Sequence, residues 1–72
     1  MDDKYLLKIF GLNLKFQRLK QKMSQEELAE MLKFSSVYVS NVESGKHNIS
    51  LVNALKFCNY FNLKIEDLLN DK

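Results

Sequence analysis

The side chains best suited to chemistry in this chain are short and uncharged, and they lie near its middle. At helical spacing Ser36, Ser40 and Asn41 share one face with Val37 and Ser44. Short polar side chains suit a helix that enters a groove about 12 Å wide and hydrogen-bonds base edges. The same face is also what an ordinary solvated helix surface without charge looks like, so both interpretations stay open at this point.

Groups that support catalysis or metal binding are scarce. His47 is the only histidine and Cys58 the only cysteine, so a zinc site and a nucleophile with an adjacent base are both excluded. There is no glycine-rich phosphate loop, and Glu26, Glu27 and Glu30 are interpreted as surface charges of a helix. Cys58 falls in an apolar helical run, where a small buried thiol is expected. The sequence predicts no enzyme, no cofactor, no metal ion and no small-molecule ligand.

Composition indicates one small all-helical domain over residues 1–72. The chain is 46% hydrophobic and has no proline and two glycines. Its net charge of +2 does not by itself indicate nucleic acid, although four basic residues cluster near the end of the first predicted helix: Lys15, Arg18, Lys20 and Lys22. No apolar run is long enough to span a membrane and no signal-peptide pattern opens the chain. With its single cysteine, the chain is expected to be cytoplasmic.

The first predicted helix, Tyr5 to Lys22, carries two apolar stripes on nearly opposite sides. One stripe is formed by Leu7, Phe10 and Leu14. The other is formed by Tyr5, Ile9, Leu12, Phe16 and Leu19. A helix on the outside of a monomer needs only one stripe, so this helix either lies between other helices or contacts a partner.

Serine caps predict the starts of the next helices. A capping box at Ser24 opens a second helix that ends near Leu32. Either Ser35 or Ser36 caps a third helix, which runs to about Ser44 and stops at a glycine. Three residues between the second and third helices make a short break.

Two further helices complete the prediction. Ser50 caps a fourth helix, and a short fifth helix spans about Ile65 to Asn70. The apolar pattern of the fourth helix consists of Leu51, Ala54, Leu55, Cys58 and Phe61. Ala29 lies on the inward face of the second helix, where a small side chain lets the third helix cross closely. The third helix then buries only Val39 and Val42.

Four sequence blocks in a fixed order are shared with one protein family. They are Arg18, MSQEELA at 23–29, V-S-x-V-E-x-G at 39–45, and L-K-F-C-x-Y-F-x-L followed by E-D-L-L. Through them residues 10–69 resemble, without gaps, the Cro/repressor-type (XRE) helix-turn-helix family. The resemblance implies a compact five-helix bundle, like the DNA-binding domain of lambda repressor, with the helix-turn-helix at helices 2 and 3. Among branches of the family, the run GKHNISLVN is most similar to the controller proteins of restriction–modification systems.

The resemblance also implies roles for individual residues. The positions that read bases are Ser36, Val37, Ser40 and Asn41. Contacts to the DNA backbone, which set register rather than sequence, fall at Gln25, Ser35, Tyr38, Lys46, Asn48 and Ser50. Arg18 and Glu43 match an ion pair that ties the first helix to the end of the third.

Three positions depart from the family pattern. The family usually has glycine at Lys22 and Lys33 and proline at Ile49. A lysine in the left-handed conformation costs roughly 1 kcal/mol or more, so the turn at Lys33 is expected to differ slightly.

The function implied is transcription regulation by a bacterial or phage homodimer that binds a roughly palindromic site in double-stranded DNA. Its reading helices would lie about 34–36 Å apart. Dimer contacts are expected from the last helix, with or without the second stripe of the first helix, and the candidates are Leu63, Ile65, Leu68 and Leu69. The alternative is a protein-interaction module, such as an antitoxin or an adaptor, that keeps the helix-turn-helix fold.

Overall fold

A computed structural model of the chain describes residues 3–70. These residues form α1 (Asp3–Lys20), α2 (Gln25–Leu32), α3 (Ser36–Glu43), α4 (Leu51–Tyr60) and a 3-10 helix (Ile65–Leu68). The all-helical class and the order of the elements are confirmed. Within residues 3–70, no helix is both long and apolar enough to cross a membrane.

The predicted fifth helix is wrong in type and length, because it is a single 3-10 turn that ends before Asn70. The carbonyl oxygens of Leu68 and Asn70 accept hydrogen bonds from Nδ2 of Asn13 at 3.0 and 2.7 Å. A side chain of α1 therefore satisfies carbonyls that a longer helix would leave to water or to a cap. The end of the described chain is tied to α1 by these two bonds.

Serine side chains cap the N-termini of α2, α3 and α4, and for α3 the cap is Ser35 rather than Ser36. Its Oγ accepts the N–H of Tyr38 at 3.0 Å. The predicted capping box of α2 is present, since Ser24 Oγ accepts the Glu27 N–H at 3.0 Å and the Glu27 carboxylate accepts the Ser24 N–H at 2.8 Å. Each cap satisfies one of the N–H groups that the first turn of a helix leaves unpaired.

The four α-helices share one type of ending, a residue in the left-handed conformation. These residues are Lys22, Lys33, Gly45 and Asn62, with φ of 57°, 61°, 76° and 57°. At the end of α2, the Lys33 N–H bonds to the Glu30 carbonyl at 3.3 Å and the Phe34 N–H to the Ala29 carbonyl at 2.8 Å. This pair of bonds is the Schellman motif. The turn therefore keeps the backbone that glycine favours, and Lys33 bears strain of about 1 kcal/mol instead of changing the turn.

The core lies where α1 to α4 and the 3-10 helix meet. Residues of three helices contribute to it as expected: Phe10 and Leu14 of α1, Leu28 and Ala29 of α2, and Val39 and Val42 of α3. Leu7, the third residue of the first α1 stripe, is only half-buried and lies outside this cluster. On α4 the apolar pattern misleads in part. Leu51 and Leu55 point to solvent, whereas Phe57 is fully buried with its ring 5.2 Å from that of Phe34.

The second stripe of α1 stays outside this core. Of its residues only Ile9 is buried, and the exposed ones are Tyr5, Leu12, Phe16 and Leu19. The interpretation that α1 lies between other helices is therefore wrong. That the stripe contacts a partner remains a prediction.

Candidate nucleic-acid interface

Helix α3 has one face in the core and one face turned outward. Val39 and Val42 are almost completely buried, and Val37 on the other side is 67% exposed. Three of the predicted base-reading residues are polar and half-buried: Ser36, Ser40 and Asn41. The structure thus brings the four predicted base-reading residues together on one outward face, called the reading face below.

A buried ion pair holds the C-terminal end of α3. Arg18 Nε lies 2.7 Å from Glu43 Oε2, and Arg18 Nη2 lies 3.0 Å from Glu43 Oε1. The third guanidinium nitrogen donates to the Met23 carbonyl at 2.7 Å, so one side chain links α1, the start of α2 and α3. No buried side-chain nitrogen or oxygen in residues 3–70 lacks a partner. A buried charge pair costs least when each of its nitrogen and oxygen atoms has a hydrogen-bond partner, as here.

This pair changes two expectations for nearby residues. Arg18 is only 6% exposed and is neutralised by Glu43, so it does not join Lys15, Lys20 and Lys22 in a basic surface. Gln25, predicted to contact the DNA backbone, donates one amide N–H to Glu43 at 3.0 Å. An amide nitrogen carries two hydrogens, so its second N–H is left for another acceptor.

Gly11 is a positioning residue that sequence reasoning missed. A Cβ at Gly11 would collide with the carbonyl oxygens of Val42 and Glu43. The backbone of α1 therefore approaches the backbone at the end of α3 directly. One feature of the sequence could have predicted this contact, namely a glycine in the interior of a helix. Glycine there costs about 1 kcal/mol relative to alanine, which indicates close packing against another element.

The other predicted backbone contacts lie at the start of α3 and in the loop after it. The Tyr38 hydroxyl accepts a hydrogen bond from Asn53 Nδ2 at 2.9 Å and keeps its own hydrogen to donate. Its ring packs 4.8 Å from that of His47. Ser35 and Ser50 use an oxygen lone pair for capping, and Lys46 and Asn48 are exposed. The Tyr38–Asn53 bond places this edge of α3 toward α4, and Lys46 and Asn48 lie in the loop that joins the two helices.

The four candidate dimer residues do not share one environment. Leu68 is fully buried within the chain, so its side chain has no surface left for a partner. Leu63 and Ile65 pack against the core and are half-buried, and Leu69 is 40% exposed. Three residues of α4 that sequence reasoning did not assign to contacts are also exposed: Leu51, Val52 and Leu55. Leu51, Ile65 and Leu69 also line an apolar groove of about 260 Å³ between α1, α4 and the 3-10 helix.

The single cysteine is part of the core. Burial raises the pKa of the Cys58 thiol, and the nearby charge of Asp67 raises it further. A raised pKa keeps the thiol protonated at neutral pH, and a protonated thiol is a poor nucleophile and metal ligand. In residues 3–70, no group of three or more His, Cys, Asp or Glu side chains is placed to hold a metal ion.

Residues 14–68 match the family model described as helix-turn-helix. The chain belongs to the helix-turn-helix family. This helix-turn-helix protein is 35% identical over 63 residues to the control protein C.MunI of a Mycoplasma species, covering 86% of this chain and 85% of that protein. It is 38% identical over 55 residues to an uncharacterised HTH-type transcriptional regulator of Methanocaldococcus jannaschii, covering 76% of this chain and 83% of the regulator.

Solved structures support the same assignment for the helix-turn-helix protein. It superposes on the restriction–modification controller protein C.AhdI from Aeromonas hydrophila with a TM-score of 0.79 and 37% identity, covering 86% of this chain and 94% of that one. It superposes on the hypothetical transcription factor NHTF from Neisseria with a TM-score of 0.85 and 31% identity, covering 97% of this chain and 80% of that one. The expected Cro/repressor-type family and the likeness to controller proteins are confirmed, and the helix-turn-helix protein is a DNA-binding transcription regulator.

Proposed function

We propose that this regulator binds a roughly palindromic operator in double-stranded DNA as a homodimer, with α3 of each copy in the major groove. The observation that carries the proposal is the reading face. It presents short, uncharged hydrogen-bonding groups on a helix whose opposite face is buried. A helix anchored in this way presents its polar side chains in fixed positions, and base readout depends on such geometry.

Each residue of the reading face has a chemical preference. An asparagine amide pairs bidentately with adenine, so Asn41 is expected to read an A·T pair. Val37 is suited to contact with a thymine methyl group, and the hydroxyls of Ser36 and Ser40 accept or donate to several base edges. Phosphate contacts would set the register of α3 in the groove, and the residues proposed to make them are Gln25, Ser35, Tyr38, Lys46, Asn48 and Ser50.

The homodimer is proposed to form through exposed apolar residues of α4 and at the end of the 3-10 helix, where Leu69 directly follows it. These residues are called the apolar face below: Leu51, Val52, Leu55 and Leu69. Two copies related by a two-fold axis bury the same patch on both sides. A palindromic operator repeats that symmetry, with half-sites about 34–36 Å apart. A domain of this size also buries a small core, so a partner contributes to stability.

Selection of bound duplexes from a random pool, followed by gel shifts at several salt concentrations, tests this function. We expect a palindromic consensus with A·T pairs at the Asn41 positions. Asn41→Ala should weaken binding to the selected operator by about 1–3 kcal/mol per half-site, or roughly 5- to 150-fold, because one bidentate contact is lost. Asn59→Ala, at an exposed asparagine of α4, is the matched control and should leave affinity unchanged. Equal affinity of the wild-type protein for selected and scrambled duplexes would refute sequence-specific binding.

A second function, protein interaction on a retained helix-turn-helix fold, rests on one observation. The reading face carries neither arginine nor lysine, which many groove-reading helices use for guanine. If Asn41→Ala leaves regulation in the cell unchanged while the protein still binds a protein partner, this second function replaces the first.

A further inference from the structure

The two edges of α3 differ in charge. On the edge that faces α4, Lys46 and Asn48 are exposed in the loop that follows the helix. On the edge that faces α1, the only predicted backbone contact is Gln25, which is uncharged and already donates one N–H to Glu43. Phosphates line both walls of a major groove about 12 Å wide, so a helix seated in it has phosphates along both edges.

A depression of about 280 Å³ opens along the edge of α3 that faces α1. It is lined by Leu12, Lys15, Gln25, Ser40, Glu43 and Ser44. Because Ser40 belongs to the reading face, the depression continues directly from that face. Lys15 is the one cationic side chain among the six lining residues, and it is exposed. The Glu43 carboxylate in the wall is neutralised by Arg18 through two hydrogen bonds, so it does not cancel the charge of Lys15.

We propose that Lys15 binds a backbone phosphate at this edge and is a further DNA-contacting residue, supplied by α1. The inference rests on the proposed function and deepens it. It assigns a positively charged partner to the phosphates along the α1 edge of α3, where the helix-turn-helix itself supplies only the uncharged Gln25. Lys15 is a positioning residue in this role. A phosphate contact fixes where α3 sits and does not distinguish one base sequence from another.

Fluorescence anisotropy with a selected operator duplex and a scrambled duplex of the same length, over a series of KCl concentrations, tests the contact. Lys15→Gln should weaken binding to both duplexes by the same factor, about tenfold per half-site near 0.1 M salt, and leave their affinity ratio unchanged. The slope of log K against log salt should fall in magnitude by about 0.9 per half-site, or about 1.8 for a dimer. Lys15→Arg, which keeps the charge, should restore the slope.

Lys20→Gln is the matched control, because Lys20 is also an exposed lysine of α1 but lies over the Phe16 ring at 5.7 Å and does not line the depression. It should leave the slope unchanged. Equal slopes for wild type, Lys15→Gln and Lys20→Gln would overturn the proposal, and so would a change in the affinity ratio on Lys15→Gln. If the wild type binds both duplexes with equal affinity, the operator function alone is refuted. The slopes of log K against log salt, measured on either duplex, still test whether Lys15 binds a phosphate. Absence of DNA binding would overturn both.

Discussion

The reading face of α3 and the apolar face of α4 and the 3-10 helix each carry an equally exposed apolar residue but differ in the chemistry around it. Val37 on the first and Leu51 on the second are each 67% exposed. Around Val37 lie serine and asparagine side chains, whereas around Leu51 lie Val52 and Leu55. Exposed surface with hydrogen-bonding groups suits base edges, and contiguous exposed apolar surface is typical of contacts between proteins.

The two faces also differ in how they are supported. Behind the reading face, the Arg18–Glu43 pair and the close approach at Gly11 hold the end of α3 to α1. Behind the apolar face, Leu68 and Phe57 provide hydrophobic packing, and the hydrogen bonds from Asn13 go to backbone carbonyls without any ion pair. We therefore expect the proposed groove reading to depend on the buried ion pair behind α3, and the proposed dimer to depend mainly on the apolar area that it buries. The three variants below test this contrast in order of expected effect.

Removal of the carboxylate behind the reading face should have the largest effect. Glu43→Ala leaves the buried Arg18 guanidinium without its partner, which should lower the free energy of unfolding by about 3–5 kcal/mol. That loss is a large part of the 5–15 kcal/mol typical of a whole domain. Urea unfolding followed by circular dichroism measures it. Glu30→Ala, at an exposed position of α2, should change stability by less than about 0.5 kcal/mol. Equal effects of the two variants would contradict the role assigned to the pair.

A charge on the apolar face should separate the proposed dimer. Leu51→Glu puts two like charges into a symmetric interface, which costs several kcal/mol and should weaken association at least about 100-fold. Sedimentation equilibrium measures the association constant. Leu12→Glu is a matched control on the second stripe of α1, where Leu12 is 63% exposed. If Leu12→Glu dissociates the dimer and Leu51→Glu does not, the interface lies on α1. The apolar face would then not be the dimer interface.

A change in the turn between α2 and α3 should alter stability while leaving both faces intact. Lys33→Gly relieves left-handed strain of about 1–2 kcal/mol but adds unfolded-state entropy worth about 0.4–1 kcal/mol. At the midpoints of these two ranges the net gain is about 0.8 kcal/mol, or a rise in Tm of about 3–6 °C by differential scanning calorimetry. Lys15→Gly, at an exposed position in the interior of α1, should have the opposite sign because glycine weakens a helix interior. A lower Tm for Lys33→Gly would mean that strain at this turn is not relieved by glycine.

Local features of the sequence were sufficient for the helices and for part of the site. The starts of α2, α3 and α4 follow from serine caps, since a cap acts over only three residues. The two sides of α3 follow from helical periodicity, and the family resemblance turned its outward side into a predicted reading face. The structure keeps those four residues together, although the Lys15 edge and the Gly11 contact were not anticipated.

The sequence by itself determined that the chain is helical, where its middle helices begin, and which residues of α3 face outward. Each of these depends on neighbours within one or two turns. Only the tertiary structure decided which apolar residues form the core: Phe57 and Leu68 are buried, whereas Leu51, Leu55 and most of the second α1 stripe are exposed. It also decided that Gln25 bonds to Glu43 and that Lys15 borders the reading face. These outcomes depend on how helices that are distant in sequence cross. A periodic pattern shows which side of a helix is apolar, but it does not show which other helix packs against that side.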